Sequence, residues 1–118
     1  MEGKRASRVA ELLKQILSET IFREMRDPAV RMVTITKVKI SDDLKEAKVY
    51  FSKMGTPKEH EQALAGLKRA QSFLRTAIAR KGGLRVVPNL TFVFDDTLDY
   101  AANIERLLRQ VHGEKPER

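Results

Sequence analysis

Two runs of alternating apolar and polar residues, 32–41 and 46–53, constrain this chain more than any other feature. A period of two puts successive side chains on opposite faces of a strand. Two such runs joined by the polar turn Ser41-Asp42-Asp43 predict a β-hairpin. In the second run Ala47, Val49 and Phe51 share one face, with Lys48, Tyr50 and Ser52 on the other. The first run changes phase. Val33 and Ile35 alternate with Thr34 and Thr36, and then Val38 and Ile40 turn inward with Lys37 and Lys39 between them. A one-residue change of phase marks a β-bulge or a local twist.

A sheet with one apolar face needs helices to cover it, and the flanking sequence supplies them. Residues 5–25 carry Val9, Leu12, Leu13, Ile16, Leu17 and Ile21 at helical spacing, and Asp27-Pro28 predicts the end of that helix. Thr56-Pro57-Lys58-Glu59 has the pattern of a capping box with proline in the first helical position. The helix it opens extends to about Lys81 and stops at Gly82-Gly83. Ala63, Leu67, Ala70, Leu74 and Ile78 form its buried face, while Lys68, Ser72, Arg75 and Ala79 form a second stripe clear of the first. Gly66 and Ser72 are places where it can bend, and the stretch is long enough to be two helices broken near Ser72. Val86-Val87-Pro88-Asn89 reads as a turn or edge entry, since proline cannot donate to a central ladder. Leu90, Phe92 and Phe94 follow as a third strand, and both phenylalanines read as core. Asp96 and Asp99 suit the start of a last helix with Ile104, Leu107, Leu108 and Val111. The order α–β–β–α(α)–β–α predicts an α+β fold, with helices on one face of a three-stranded sheet. One domain over residues 1–112 and a polar tail over 113–118 account for all 118 residues.

Composition narrows the chemistry. Without cysteine there are no disulfides and no thiolate metal sites. No run of apolar residues approaches a membrane span. Lys4, Arg5 and Arg8 near the start are not followed by the apolar stretch of a signal peptide, so the expected compartment is the cytoplasm. Lysine and arginine total 23 against 16 acids, a net charge of +7. The distribution says more than the total. Residues 62–94 contain Lys68, Arg69, Arg75, Arg80, Lys81 and Arg85 and no acid. A field of one sign attracts polyanions. The plain alternative is a solvated face whose counter-charges come from neighbouring elements.

Enzymatic readings have few anchors. There is no glycine-rich phosphate loop and no serine or cysteine near a histidine. Asp95, Asp96 and Asp99 at the end of the third strand could hold magnesium for phosphodiester hydrolysis, but their spacing suits a helix cap equally. His60 reads as solvated, and His112 as a cation at a helix end. Nucleic-acid binding is the stronger reading, through phosphate contacts that position without specifying sequence. Lys68 and Arg75 flank Ser72, Ala79 adds no bulk, and Arg80, Lys81 and Arg85 continue the patch past Gly82-Gly83. An architectural DNA-binding protein is a further possibility for such a surface.

Several blocks carry a family resemblance. These are Met25-Arg26-Asp27-Pro28-Ala29-Val30, Val33-Thr34-Ile35-Thr36-Lys37-Val38, Ser41-Asp42-Asp43-Leu44 and Ala47-Lys48-Val49-Tyr50. Leu84-Arg85-Val86-Val87-Pro88-Asn89-Leu90-Thr91-Phe92 and Asp95-Asp96-Thr97 complete the set. Over about residues 4–111 the chain resembles the bacterial ribosome-binding factor A family. The resemblance implies a type II KH-like fold and binding of 16S rRNA on free, immature small ribosomal subunits. It further implies assistance in late maturation, including processing of the precursor's 5′ end, a role in growth in the cold, no enzymatic activity and no cofactor. A monomer with no small-molecule ligand and no membrane contact is expected. Lys4, Arg5 and Arg8 of the first helix join the patch as expected RNA contacts. Where family members have an Ala-x-Gly kink between the central helices, this chain has Ala70, Gln71 and Ser72. A shallower kink, or one held by the serine hydroxyl on a backbone carbonyl, is therefore expected. The short tail after the last helix argues against a role for a long extension in subunit contact.

Overall fold

Strand β2 (Glu46–Ser52) is the centre of the sheet. It pairs antiparallel with β1 (Thr34–Ile40) on one side and parallel with β3 (Asn89–Phe94) on the other. The computed structural model describes residues 2–111, so His112 and the expected tail lie outside it. Helix α1 spans Glu2–Glu24, α2 Pro57–Arg69, α3 Gln71–Gly82 and α4 Thr97–Val111. A parallel pair needs a crossover, and the α2–α3 segment supplies it between β2 and β3.

Helices α1, α2 and α3 cover one face of the sheet, as the sequence order requires. The core they close contains Leu13, Leu17, Val49, Phe51, Ala63, Leu67, Leu74 and Ile78, all fully buried. Phe92 is buried as well, whereas Phe94 is half-buried and packs edge-on against Phe51, with ring centroids 5.6 Å apart.

The phase change in β1 is a bulge. Ile35 pairs with Phe51 and Lys37 with Tyr50, which leaves Thr36 without an opposite residue. At the hairpin turn Ser41 Oγ donates to Asp43 Oδ1 at 2.7 Å and accepts from the Glu46 amide at 3.0 Å. The capping box at α2 forms as predicted. Glu59 N–H donates to Thr56 Oγ1 at 3.2 Å, and Thr56 N–H donates to Glu59 Oε1 at 2.8 Å. Gly83, with φ 64°, terminates α3.

Of four local expectations, the first two hold and the last two need correction. Helix α1 ends at Glu24, as expected before Asp27-Pro28, and Asp27 begins a separate 3₁₀ turn, Pro28–Val30, by accepting the Ala29 N–H at 2.9 Å. The long helix breaks at Ala70, inside the expected Ala70–Ser72 kink. Gly66 marks no bend; it admits the 3₁₀ turn. A Cβ there would lie 2.9 Å from Val30 Cγ1 and 3.3 Å from Asp27 Oδ2. His60 is not solvated. Its ring stacks on Phe94 at 4.1 Å, and its Nε2 is buried with no hydrogen-bond partner among the described residues.

Gly66→Ala should therefore destabilise the protein by about 1–2 kcal/mol despite alanine's higher helix propensity, since Val30 is itself buried and cannot move aside. In a Val30→Ala background the same change should be neutral or stabilising. Denaturant titration of the two single variants and the double variant measures the coupling.

Candidate nucleic-acid interface

The α2–α3 junction is held from three directions. Ala70 adopts φ −90° and ψ 6°, outside helical geometry, while its N–H still donates to Gly66 O and Leu67 O at 3.1 Å. Gln71 Nε2 donates to Leu90 O at 3.0 Å, fastening the kink to β3. Arg69 forms an ion pair with Asp27 at 2.8 Å, fastening it to the 3₁₀ turn. Ser72 is exposed, and its hydroxyl has no hydrogen bond among the described residues, so it does not hold the kink as the sequence suggested.

The six bases of the acid-free segment divide into two groups. Arg69, Arg75 and Lys81 are engaged by the fold. Arg75 is half-buried, against the expectation of a free surface position. Its Nε donates to Pro88 O at 3.1 Å and its Nη2 to Val87 O at 2.9 Å. Those two carbonyls precede an edge strand and have no ladder partner of their own, so the guanidinium replaces one. Lys81 Nζ reaches Glu24 Oε2 at 2.8 Å and Thr20 Oγ1 at 3.2 Å. Its hydrogen bond holds the Glu24 carboxyl below its ordinary pKa, and that of Arg69 does the same for Asp27. Both counter-charges come from the segment that ends α1, which is the plain alternative weighed from the sequence, realised for these residues.

Lys68, Arg80 and Arg85 are exposed and make no hydrogen bond or ion pair among the described residues. Lys4, Arg5 and Arg8 are exposed on the first turns of α1. The fold unites two of these sets. Arg5 and Arg85 line one cleft of about 290 Å³, together with Val9, Leu84 and the hairpin residues Asp42 and Asp43. Phe73, which the sequence reading passed over, stands 43% exposed beside the kink, in a groove bordered by Gly66, Arg69 and Ala70. The available signal was its position off the Ala70–Leu74–Ile78 stripe.

The aspartates at the end of β3 have a structural task. Asp95 Oδ2 accepts from Thr36 Oγ1 at 2.6 Å, and Oδ1 accepts from the Thr97 N–H at 3.0 Å. The bulge aims Thr36 at this carboxylate. Asp95, not Asp96, thereby caps α4 and ties it to β1. The Thr36 hydroxyl, helped by the Thr97 hydroxyl and amide, lowers the Asp95 pKa to about 2. Asp96 is exposed, and the Asp99 side chain lies outside the described residues. Both oxygens of Asp95 thus accept hydrogen bonds that hold the fold.

A three-stranded sheet covered on one face by a helix–kink–helix is the KH-like arrangement expected. The family model for ribosome-binding factor A matches residues 5–108. The chain belongs to the ribosome-binding factor A family. Ribosome-binding factor A of Syntrophobacter fumaroxidans is 42% identical over 114 residues, covering 95% of this chain and 97% of that protein. The crystal structure of ribosome-binding factor A from Thermus thermophilus superposes with a TM-score of 0.69 at 30% identity, over 75% of this chain and 93% of that one. A homology model of the Thermus thermophilus factor, fitted into a cryo-electron-microscopy map of its complex with the 30S subunit, matches with a TM-score of 0.62. It is 30% identical, over 73% of this chain and 90% of that one.

Two outcomes test the assignments. Arg75→Gln should lower stability by about 1–3 kcal/mol, because it strands two carbonyls. Thr36→Val acts through Asp95, whose folded pKa of about 2 lies below its unfolded value near 3.9. The stabilisation is complete above about pH 4 and is lost as pH falls through about 2. The variant should be less stable than the parent at pH 7 by about 1 kcal/mol, with the gap closing toward pH 2 in urea titrations.

Proposed function

We propose that this chain is an assembly factor that binds the immature small ribosomal subunit through phosphates of 16S rRNA. It assists late maturation, including processing of the precursor's 5′ end, and supports growth in the cold. Lys68, Arg80 and Arg85, with Lys4, Arg5 and Arg8, make the phosphate contacts. The observation that carries this reading is that these six cations stand exposed while the other bases of the acid-free segment are held by the fold. The Thermus thermophilus relative, with the same fold, sits in a complex with the 30S subunit, which supports the choice of target. Phosphate contacts from lysine and arginine position a protein on RNA and make its affinity fall with salt. The protein works as a cytoplasmic monomer without a cofactor or catalytic step. Arg69, Arg75 and Lys81 contribute indirectly, by fixing the kink and the ends of α3.

A Lys68→Glu/Arg80→Glu/Arg85→Glu variant should keep the parent's circular dichroism and lose its place with free small subunits in sucrose gradients of cell lysates. Equilibrium binding to purified subunits should weaken by at least about 100-fold, with a salt slope shallower by about 3. Unchanged sedimentation with a native spectrum would remove these residues from the interface.

A further inference from the structure

Helices α1, α2 and α3 pack on one face of the sheet, and the described lysines of the other face stand exposed, so that face is also basic. Across it, Lys37 pairs beside Tyr50 and then Val93, and Lys39 beside Lys48 and then Thr91. Lys37, Lys39 and Lys48 are all exposed, and none forms a salt bridge among the described residues, although the charge of Lys37 reaches Asp95 and helps to lower its carboxyl pKa. Among the described residues, Glu46 in β2 and Asp95 just after β3 are the acids in register with these lysines, and both are engaged. Glu46 accepts from Asn89 Nδ2 at 3.1 Å, and Asp95 is held by Thr36 and Thr97. Lys39 and Lys48 stand directly opposite each other across the strand pair. Like charges in that position destabilise a sheet, and nothing among the described residues offsets them. An anion would. Beside them Lys37 Nζ sits over the half-buried Tyr50 ring, 4.7 Å from its centre, so a cation and an aromatic ring stand together and a base that stacks there takes the place of the lysine. Unpaired RNA takes this combination, with phosphates on lysines and a base against an aromatic ring.

We infer that the open sheet face is a second RNA contact, in which Lys37, Lys39 and Lys48 hold the backbone of an unpaired segment and Tyr50 meets a base. The inference rests on the reading of the chain as an RNA-binding factor. It adds that one molecule grips RNA on both sides of its sheet and bridges two segments.

Lys39→Glu separates fold from binding, because it replaces the repulsion with Lys48 by a cross-strand ion pair. The variant should melt no lower than the parent. Its affinity for purified small subunits and for protein-free 16S rRNA should drop at least about tenfold, with a salt slope shallower by about 2. A Lys37→Gln/Lys39→Gln/Lys48→Gln variant should show the same loss without reversed charge. Affinity within twofold of the parent for both variants overturns the inference. So does a loss for subunits with full binding retained for free 16S rRNA, which would mark the face as a protein contact. The two surfaces fail separately. If the Lys68/Arg80/Arg85 variant binds normally while the sheet variants do not, the assignment of those three residues falls and the sheet contact stands.

Discussion

Val49 and Phe51, both at zero exposure in the central strand, are the constraint on which the rest depends. Their strand alternates strictly, so burying them under helices forces Lys48 and Tyr50 to the opposite side. The same register lines up Val38 and Phe92 on the covered face and Lys37 and Lys39 on the open one. A slip by one residue would exchange the two faces entirely. The hydrophobic pattern that closes the core therefore also builds a charged surface behind it.

Charge in this molecule is divided between holding the fold and facing outward. Asp27–Arg69 and Glu24–Lys81 are partly exposed pairs that contribute little stability singly. Their value is geometric, since one ties the end of α2 to the 3₁₀ turn and the other ties the last turn of α3 to the end of α1. With Arg75 on the carbonyls before β3 and Gln71 on Leu90, the kink is anchored to three separate elements. Rigid support of this kind lets the remaining cations hold a fixed arrangement, as a contact with a structured polyanion requires.

Much of this was legible in the sequence because it follows from short-range rules. Period two found the hairpin, and its change of phase found the bulge at Thr36. The Thr56–Glu59 pattern found the start of α2, and Gly83 the end of α3. What stayed hidden depends on tertiary neighbours. The engagement of Arg69 and Lys81 could not be read from a window that contained no acids, because Asp27 and Glu24 arrive from another element. Arg75 looked like a surface residue until the unpaired carbonyls of Val87 and Pro88 came within reach. His60 looked polar by type and proved to be a ring stacked on Phe94. The lysines of β1 and β2 were visible as outward positions, but their meaning came only when register set Lys39 against Lys48.

The most direct test of this division is lysine acetylation mapped by mass spectrometry, on the free protein and on its complex with small ribosomal subunits. Lys4, Lys68, Lys37, Lys39 and Lys48 should react readily in the free protein and be protected in the complex. Lys81, held by Glu24 and Thr20, should react slowly in both. Equal reactivity of Lys68 with and without subunits, or protection confined to Lys81, would contradict the account.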